Sequence, residues 1–446
     1  MTMLSKDEAQ ALLKKVIALS KAETCEANLN GNTNGNIRTA RNSVSTSGVQ
    51  DDLQLVVQSS YGKRVGTTTI NELDDASLEK AVRRSEELAK LAPENPEFMP
   101  PLEPQQYVDA PGWVDATAKI TPEFRAKGAA DSINASKAKK LVAAGFLQDF
   151  AGFQAMLNSK GLFAYYPSTN VNFTVTVRSE DGSGSGYAAA DANDVAEMDT
   201  AKTSGVAIDK ALRSMGAKAI EPGKYTVILE PAASVGLLQF MGFGFDARQA
   251  DEGRSFLSKP GGGNKKGEKI VDERVSIWSD PADPGAPTAP WAGDGRPRKK
   301  TMFIEKGVVK NLYSSRYWAQ KTNIEAIPFP ANMIMAGGTA STEDLIKDTK
   351  RGLLVTRTWY IRMVDPQTVL LTGLTRDGLF MIEDGKLTFP VKNFRFNESP
   401  VIMLNNLDAL GKPIRFSDGD GNGGGASLIP PMRIRDFTFS SLSDAV

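Results

Sequence analysis

The stretch Pro222 to Phe256, PGKYTVILEPAASVGLLQFMGFGFDARQADEGRSF, constrains the fold more than any other part of the chain. Tyr225, Val227 and Leu229 alternate as in a strand, which ends at Glu230-Pro231. An apolar, helix-like run follows from Ala232 to Phe245, and then a charged patch from Asp246 to Arg254. A strand feeding a helix that opens onto charges is a common way to build a site. This helix, however, carries no evident catalytic group.

Composition explains why. The chain has 446 residues and no histidine. No Ser-His-Asp triad or Cys-His dyad can form. Cys25 is the single cysteine, so neither an imidazole nor a thiolate zinc site is available, and no intrachain disulfide can form. Cys25 lies in ETCEANLNG without a basic neighbour to activate it and reads as a half-buried strand residue. An all-carboxylate Mg²⁺ or Ca²⁺ site stays open in principle, but no metal or other cofactor is expected. Lys+Arg and Asp+Glu both number 53, and no basic stripe is evident, which disfavours nucleic acid as a partner. The N-terminus is charged and amphipathic rather than signal-like, and no apolar run is long enough for a membrane span. A cytoplasmic protein is expected.

The length suits two or three domains. Residues 1–92 read as an α/β unit. Ser5 and Glu8 form a capping box for a helix to about Ala22. Asn28 to Asn36 reads as a loop or turn, Asp52 to Ser59 as a strand, and Asp74 to Leu91 as a second helix. Residues 93–120 form a linker or surface strap, with six prolines between Pro93 and Gly112. Residues 121–220 form a middle segment. A helix starts at Thr121-Pro122, strands run from Leu141 to Val177 with a turn near Asn158, and Asp194 to Met215 is helical. Asp181 to Gly186 reads as a turn rather than a phosphate cradle. Residues 221–446 are rich in strands: a hairpin turning at Lys306-Gly307, strands over Gly352 to Met363, Gly378 to Ile382 and Lys386 to Val391, and a last strand from Met432. Ser341 caps a short helix, another lies within Asn397 to Leu410, and Gly419 to Gly425 reads as a mobile loop. The fold class is α/β (α+β).

Several of these stretches carry a resemblance. PGKYTVILEPAA, DGRPRKKTMFIEKGVVKNL, PANMIMAGGTASTEDLI, IEDGKLTFPVKNF and PPMRIRDF, in this order, resemble the TldD/PmbA family. IRTARNSVSTSG and VVQSSYGKRVGTTT extend the likeness to the N-terminal half. It implies an N-terminal α/β region, a middle segment and a strand-rich C-terminal domain. In the family's metallopeptidases, the helix after the LEP-type strand carries HExxxH. Two histidines at that spacing on one helical face bind Zn²⁺, and the glutamate activates water. Aligned on Leu229-Glu230-Pro231, Gly242 and Gly244, the first ligand position falls on Leu238, the base on Gln239 and the second ligand on Phe243. None of these can do the chemistry, and a late cysteine ligand is also missing. Leu238 and Phe243 would turn the ligand face into an apolar packing face. The resemblance therefore implies the non-catalytic PmbA/TldE-type branch, a heterodimer partner of a zinc-bearing TldD-type homologue acting on unfolded or leader-type peptides.

Two alternatives stand beside it. A homodimeric peptide-binding scaffold would need no catalytic relative. An enzyme of another kind would use the polar cluster Asp246, Arg248, Asp251, Glu252 and Arg254, whose bland reading is a salt-bridged surface. Peptide-gripping candidates are Arg357 and Trp359, Arg376 and Asp377 in TGLTRDGLF, and Arg395, though half-buried strand positions or an ion pair would also explain them. Family peptidases bind extended peptide by adding a strand to a sheet edge.

Overall fold

The alternating stretches of the first half build one antiparallel sheet in the computed structural model, which describes residues 3–417 and 426–443. In chain order this half runs α1 (Lys6–Leu19), β1 (Thr24–Ala40), β2 (Ser43–Tyr61), β3 (Arg64–Ile70), α2 (Asp75–Leu91), α3 (Asp115–Ala118), α4 (Pro122–Ala138), β4 (Leu141–Asn158), β5 (Phe163–Ser179), β6 (Ser185–Ala192) and α5 (Thr200–Arg213). The strand order is β3-β2-β1-β4-β5-β6, so the β1–β4 pairing joins chain on either side of the proline-rich stretch. Ser5 and Glu8 form the expected capping box, and Pro122 opens α4.

One face of this sheet is the core. Cys25, Ala27 and Leu29 of β1 pack with Leu55 and Val57 under α1 and α2. Ile37, Leu147, Phe173 and Val175 pack under α4 and α5. Cys25 is thus fully buried rather than half-buried, and burial raises its thiol pKa.

Asn28 to Asn36 is not a loop. It is the middle of β1, paired on one side with β2 and on the other with β4. Two complete ladders satisfy the backbone and outweigh the low strand propensity of Asn and Gly. Gly35 is required by crowding: a Cβ there would lie 2.0 Å from Arg125 Nη1 and 2.7 Å from Asp149 Oδ2. Two smaller differences follow. The stretch Asp194 to Met215 divides into a 3₁₀ turn, Val195–Glu197, and α5. Ser185 and Gly186, read as turn, already belong to β6. The stretch 93–114 has no helix or strand and is tied to both halves. Asn158 Nδ2 donates to the Leu102 carbonyl at 2.9 Å, and Arg316 Nη1 to the Pro100 carbonyl at 2.8 Å.

The second half runs β7 (Gly223–Leu229), α6 (Pro231–Phe243), α7 (Ala247–Asp251), β8 (Ile277–Ser279), β9 (Thr301–Glu305), β10 (Val308–Val309), α8 (Arg316–Thr322), β11 (Met333–Met335), α9 (Thr342–Lys347), β12 (Arg351–Asp365) and β13 (Leu370–Glu383). It ends with β14 (Lys386–Pro390), β15 (Phe394–Glu398), α10 (Pro400–Asn405), β16 (Leu407–Leu410), β17 (Ile414–Phe416), β18 (Ser427–Ile429) and β19 (Met432–Leu442). The order β12-β7-β19-β15-β13 closes on itself because β13 also pairs with β12. This barrel is filled by Leu371, Phe394, Phe396, Phe437 and Phe439. A second sheet, β10-β9-β8-β11-β18-β17, lies beside it. β13 begins at Leu370, earlier than its expected start at Gly378. The stretch Gly419 to Gly425 lies outside the described residues. No helix among the described residues is long and apolar enough to cross a membrane.

Candidate functional site

The opening stretch folds as its pattern implies. β7 ends at Leu229, and Pro231 occupies the first turn of α6, where a missing N–H costs nothing. Leu237, Leu238 and Met241 are buried in the core. Leu238 borders an apolar space of about 30 Å³ shared with Met241, Phe245, Ile277, Phe303 and Ile304. This is room for about one water. Gln239 is half-buried. Phe243 is 54% exposed, its ring stacked on Phe329 at 6.3 Å and edge-on to Phe240 at 6.2 Å. Of the two aligned positions only Leu238 packs in the core, so the packing face expected for both holds at Leu238 alone.

The charged patch beyond α6 is a set of engaged ion pairs. Asp246 caps α7 by accepting from Gln249 N at 2.9 Å. Arg248 Nη1 reaches Glu97 of the proline-rich stretch at 2.8 Å, and its Nε reaches Glu252 at 3.0 Å. Arg254 and then Arg248 hold the Glu252 carboxyl below the usual carboxylate range. Asp251 accepts from Trp318 Nε1 at 3.0 Å and from Asn264 Nδ2 at 2.6 Å. Among the described residues no group of three or more Asp, Glu, Cys or His side chains is placed to hold a metal ion. The sequence did not point to Glu97, because a contact across 151 positions leaves no local pattern.

The candidates on β12 and β13 do come together. Arg357 stands opposite Arg376 in register, and Trp359 opposite Leu374, which in turn pairs with Arg395 of β15. Both guanidinium groups lie over the Trp359 ring, at 4.8 Å for Arg357 and 5.3 Å for Arg376. Arg357 and Asp377 are buried and bonded at 3.1 Å, while Arg395 is exposed. Asp377 also accepts from Ser185 Oγ at 2.6 Å. It borders a cleft of about 320 Å³ between the two halves, with Ser214, Lys392 and Asn393. Of the two, Asp377 borders the cleft.

The element missed in the sequence is the other face of the first sheet. Asn28, Asn30, Asn32, Asn34 and Asn36 alternate along β1, opposite to the helix-covered residues. Each is half-buried. Asn30 and Asn32 line a hollow of about 560 Å³ with Asp52, Gln54, Thr69 and Asn71. Asn28 Nδ2 donates to Glu26 Oε1 at 3.0 Å, and burial pushes the Glu26 carboxyl above its ordinary range. A polar residue at every second position is a strand signal whatever its propensity, and it was available to find.

Family models match over most of the chain. They are the PmbA/TldA metallopeptidase domain 1 over residues 25–89, the central domain over 117–220 and the C-terminal domain over 222–441. The protein belongs to the PmbA/TldD metallopeptidase family. Among its relatives, a metalloprotease of Methanothermobacter thermautotrophicus is 25% identical over 322 residues, 65% of this chain and 67% of that protein. A metalloprotease of Methanocaldococcus jannaschii is 28% identical over 225 residues, covering 47% of this chain and 48% of that one. This chain thus spans about half the length of the latter. The fold matches that of TldE from Thermococcus kodakarensis, with a TM-score of 0.84 and 18% identity over 97% of this chain and 99% of that one. It also matches a proposed modulator of a DNA gyrase from Thermotoga maritima, with a TM-score of 0.85 and 16% identity over 97% and 100%.

Proposed function

We propose that this chain is a catalytically inactive subunit of a peptide-processing assembly, paired with a zinc-bearing HExxxH homologue. One observation carries the reading: the three positions aligned with ligand, base and ligand hold Leu238, Gln239 and Phe243, in a chain without histidine. Leu238 is sealed in the core, so even a changed side chain there would meet apolar neighbours rather than a reaction space. The partner contributes the metal and the water-activating base. This subunit contributes walls that hold extended peptide, in the cytoplasm. Its neutral overall charge favours peptide over DNA as the thing handled.

The test is co-expression with an HExxxH relative from the same genome. The two chains should co-elute on size exclusion, and the complex should hydrolyse unfolded peptide until a chelator is added. Two chains that elute separately would sink the reading. A homodimeric scaffold is the result if the chain self-associates and ignores every HExxxH relative.

A further inference from the structure

Two tight turns meet at one end of the first sheet. The β1–β2 turn holds Arg41 and Asn42, and the turn from α4 into β4 holds Lys139 and Lys140. Asn42 fastens one turn to the other across 99 positions. Its Nδ2 donates to the Leu141 carbonyl at 2.7 Å, its Oδ1 accepts from Ala143 N at 2.8 Å, and its own N–H donates to the Ala143 carbonyl at 3.1 Å. Lys137 lies in the last turn of α4, and Arg38 stands in register with Phe146 of β4. Folding therefore joins the short run Lys137, Lys139 and Lys140 to two arginines that the sequence sets far away.

All five cations are exposed, and no carboxylate among the described residues forms an ion pair with any of them. The sheet end offers little to balance them. In the β5–β6 turn beside Leu141, Asp181 is committed to its own loop, accepting from Ser179 Oγ at 2.5 Å and from Ser183 N at 3.0 Å, which leaves Glu180. In a chain of zero formal net charge, this corner is locally positive. The dipole of α4 accounts for lysines at its C-terminus but not for the arginines.

Backbone geometry adds a second observation. Arg41 and Lys140 have φ of 51° and 55°, in the left-handed region that glycine or asparagine prefers. Asn42, at φ 58°, follows that preference, and the two cations do not. Glycine would sit more easily at either place, in a tight hairpin turn or just past a helix end. Conflicts with local preference concentrate where side-chain chemistry is used.

We infer that this corner is a docking surface for an acidic segment of another polypeptide, held by its side-chain charges. Guanidinium forks pair with carboxylates through two parallel bonds, and the lysines add point charges. Two other polyanions fit less well. Nucleic acid is held along a cationic stripe and by stacking on free aromatic faces, and the ring beside these cations, Phe146, is covered by the Arg38 guanidinium at 5.0 Å. A membrane surface takes up an apolar face next to the cations, and Val44, 51% exposed, is a single small residue. This surface needs no zinc-bearing partner, so it stands apart from the subunit role proposed above.

The probe is a fluorescent twelve-residue peptide of alternating Glu and Gly, measured by anisotropy on the full-length chain. It should bind at about 50 mM salt, and at least about tenfold more weakly at about 500 mM. The same peptide with Gln in place of Glu should not bind. Arg41→Gly with Lys140→Gly removes two cations and two strained conformations together. This variant should melt no lower than the parent and bind at least about fivefold more weakly, the loss of two ion pairs. Arg41→Asn with Lys140→Asn should behave alike, because asparagine also accepts the left-handed region. Lys306, in the β9–β10 turn at φ 49°, supplies a matched control. Lys306→Gly removes a cation of the same geometry from the second half and should bind as the parent does. Four results would each overturn the inference: no binding of the Glu peptide at low salt, equal binding of the Gln peptide, parent-like binding by both double variants, or an equal loss in Lys306→Gly. Tighter binding of a twelve-nucleotide oligothymidylate, or of phosphatidylserine vesicles, than of the Glu peptide would overturn the assignment to polypeptide.

Discussion

Replacing Arg357 by alanine should be among the most damaging single changes in this protein. Arg357 lies on β12 of the barrel, and its Nη1 meets Asp377 Oδ2 at 3.1 Å. Its guanidinium centre is 3.9 Å from the Tyr187 ring and 4.8 Å from the Trp359 ring. Tyr187 and Ser185 belong to β6 of the first sheet, so this one cation joins the two halves. Truncation leaves Asp377, 1% exposed, with the Ser185 hydroxyl as a remaining partner at 2.6 Å. Breaking a buried pair in this way costs about 3–5 kcal/mol. At ~2–4 °C per kcal/mol, the melting midpoint falls by about 6–20 °C. Calorimetry is the assay of choice, because loosening the tie should also separate the transitions of the two halves. The companion variant Arg357→Met with Asp377→Asn removes both charges. Asn tolerates the positive φ of 57° at this position, so more than half of the lost stability should return. A midpoint within ~1 °C of the parent for Arg357→Ala would refute the reasoning, by showing that the pair gives no net stability.

Three further outcomes are expected. Leu238→His, Gln239→Glu and Phe243→His together should give no chelator-sensitive peptide hydrolysis, because position 238 is enclosed among apolar side chains and a third ligand is missing; a fluorogenic peptide assay with added Zn²⁺ decides it. Gly35→Ala should lower the melting midpoint by several degrees, since the new Cβ would displace Arg125 from Asp149, whose Nη1–Oδ1 distance is 2.6 Å; a melt equal to the parent's would contradict the crowding seen there. Glu26→Gln should stabilise the protein at pH 7, by removing a carboxylate whose charged form burial disfavours. The folded-state pKa of Glu26 is raised by burial, so the parent gains stability as pH falls from 7 through that value toward the unfolded value. Thermal melts at pH 7 and pH 5 should show that gain diminished in the variant.

Where local chemistry sets the structure, the sequence was readable. Ser5 and Glu8 form a capping box within four residues, and so do Ser341 and Asp344 at α9. The strand-to-helix step at Pro231 and the hairpin at Lys306-Gly307 have signals of the same short range. Where pairing across the chain decides, reading failed. Asn28 to Asn36 has the composition of a turn, and only its partners on β2 and β4 make it a strand. Yet its period of two was visible, and weighing period above propensity would have found the polar face. Phe243 shows a different limit. An apolar helix end does not tell which residue is buried, and here Phe243 faces outward onto Phe329 while Leu238 is enclosed. The charged patch admits both a site and a surface network in the sequence, and its ion pair from Arg248 to Glu97, 151 residues away, leaves no local signal.

The barrel's closure has a consequence for how this protein is made. Its first strand, β7, pairs with β12 and β19, and β19 leaves the ribosome about 200 residues after β7. At ~5–20 residues per second, β7 waits about 10–40 s for that neighbour. Until then one edge of β7 stays unpaired and open to any chain nearby, even after β12 has covered the other. The first sheet has a shorter delay, since β1 starts at Thr24 and its later neighbour β4 at Leu141. A chain interrupted before Met432 would carry a finished first half and a permanently open barrel, and should be recovered in aggregates or bound to chaperones.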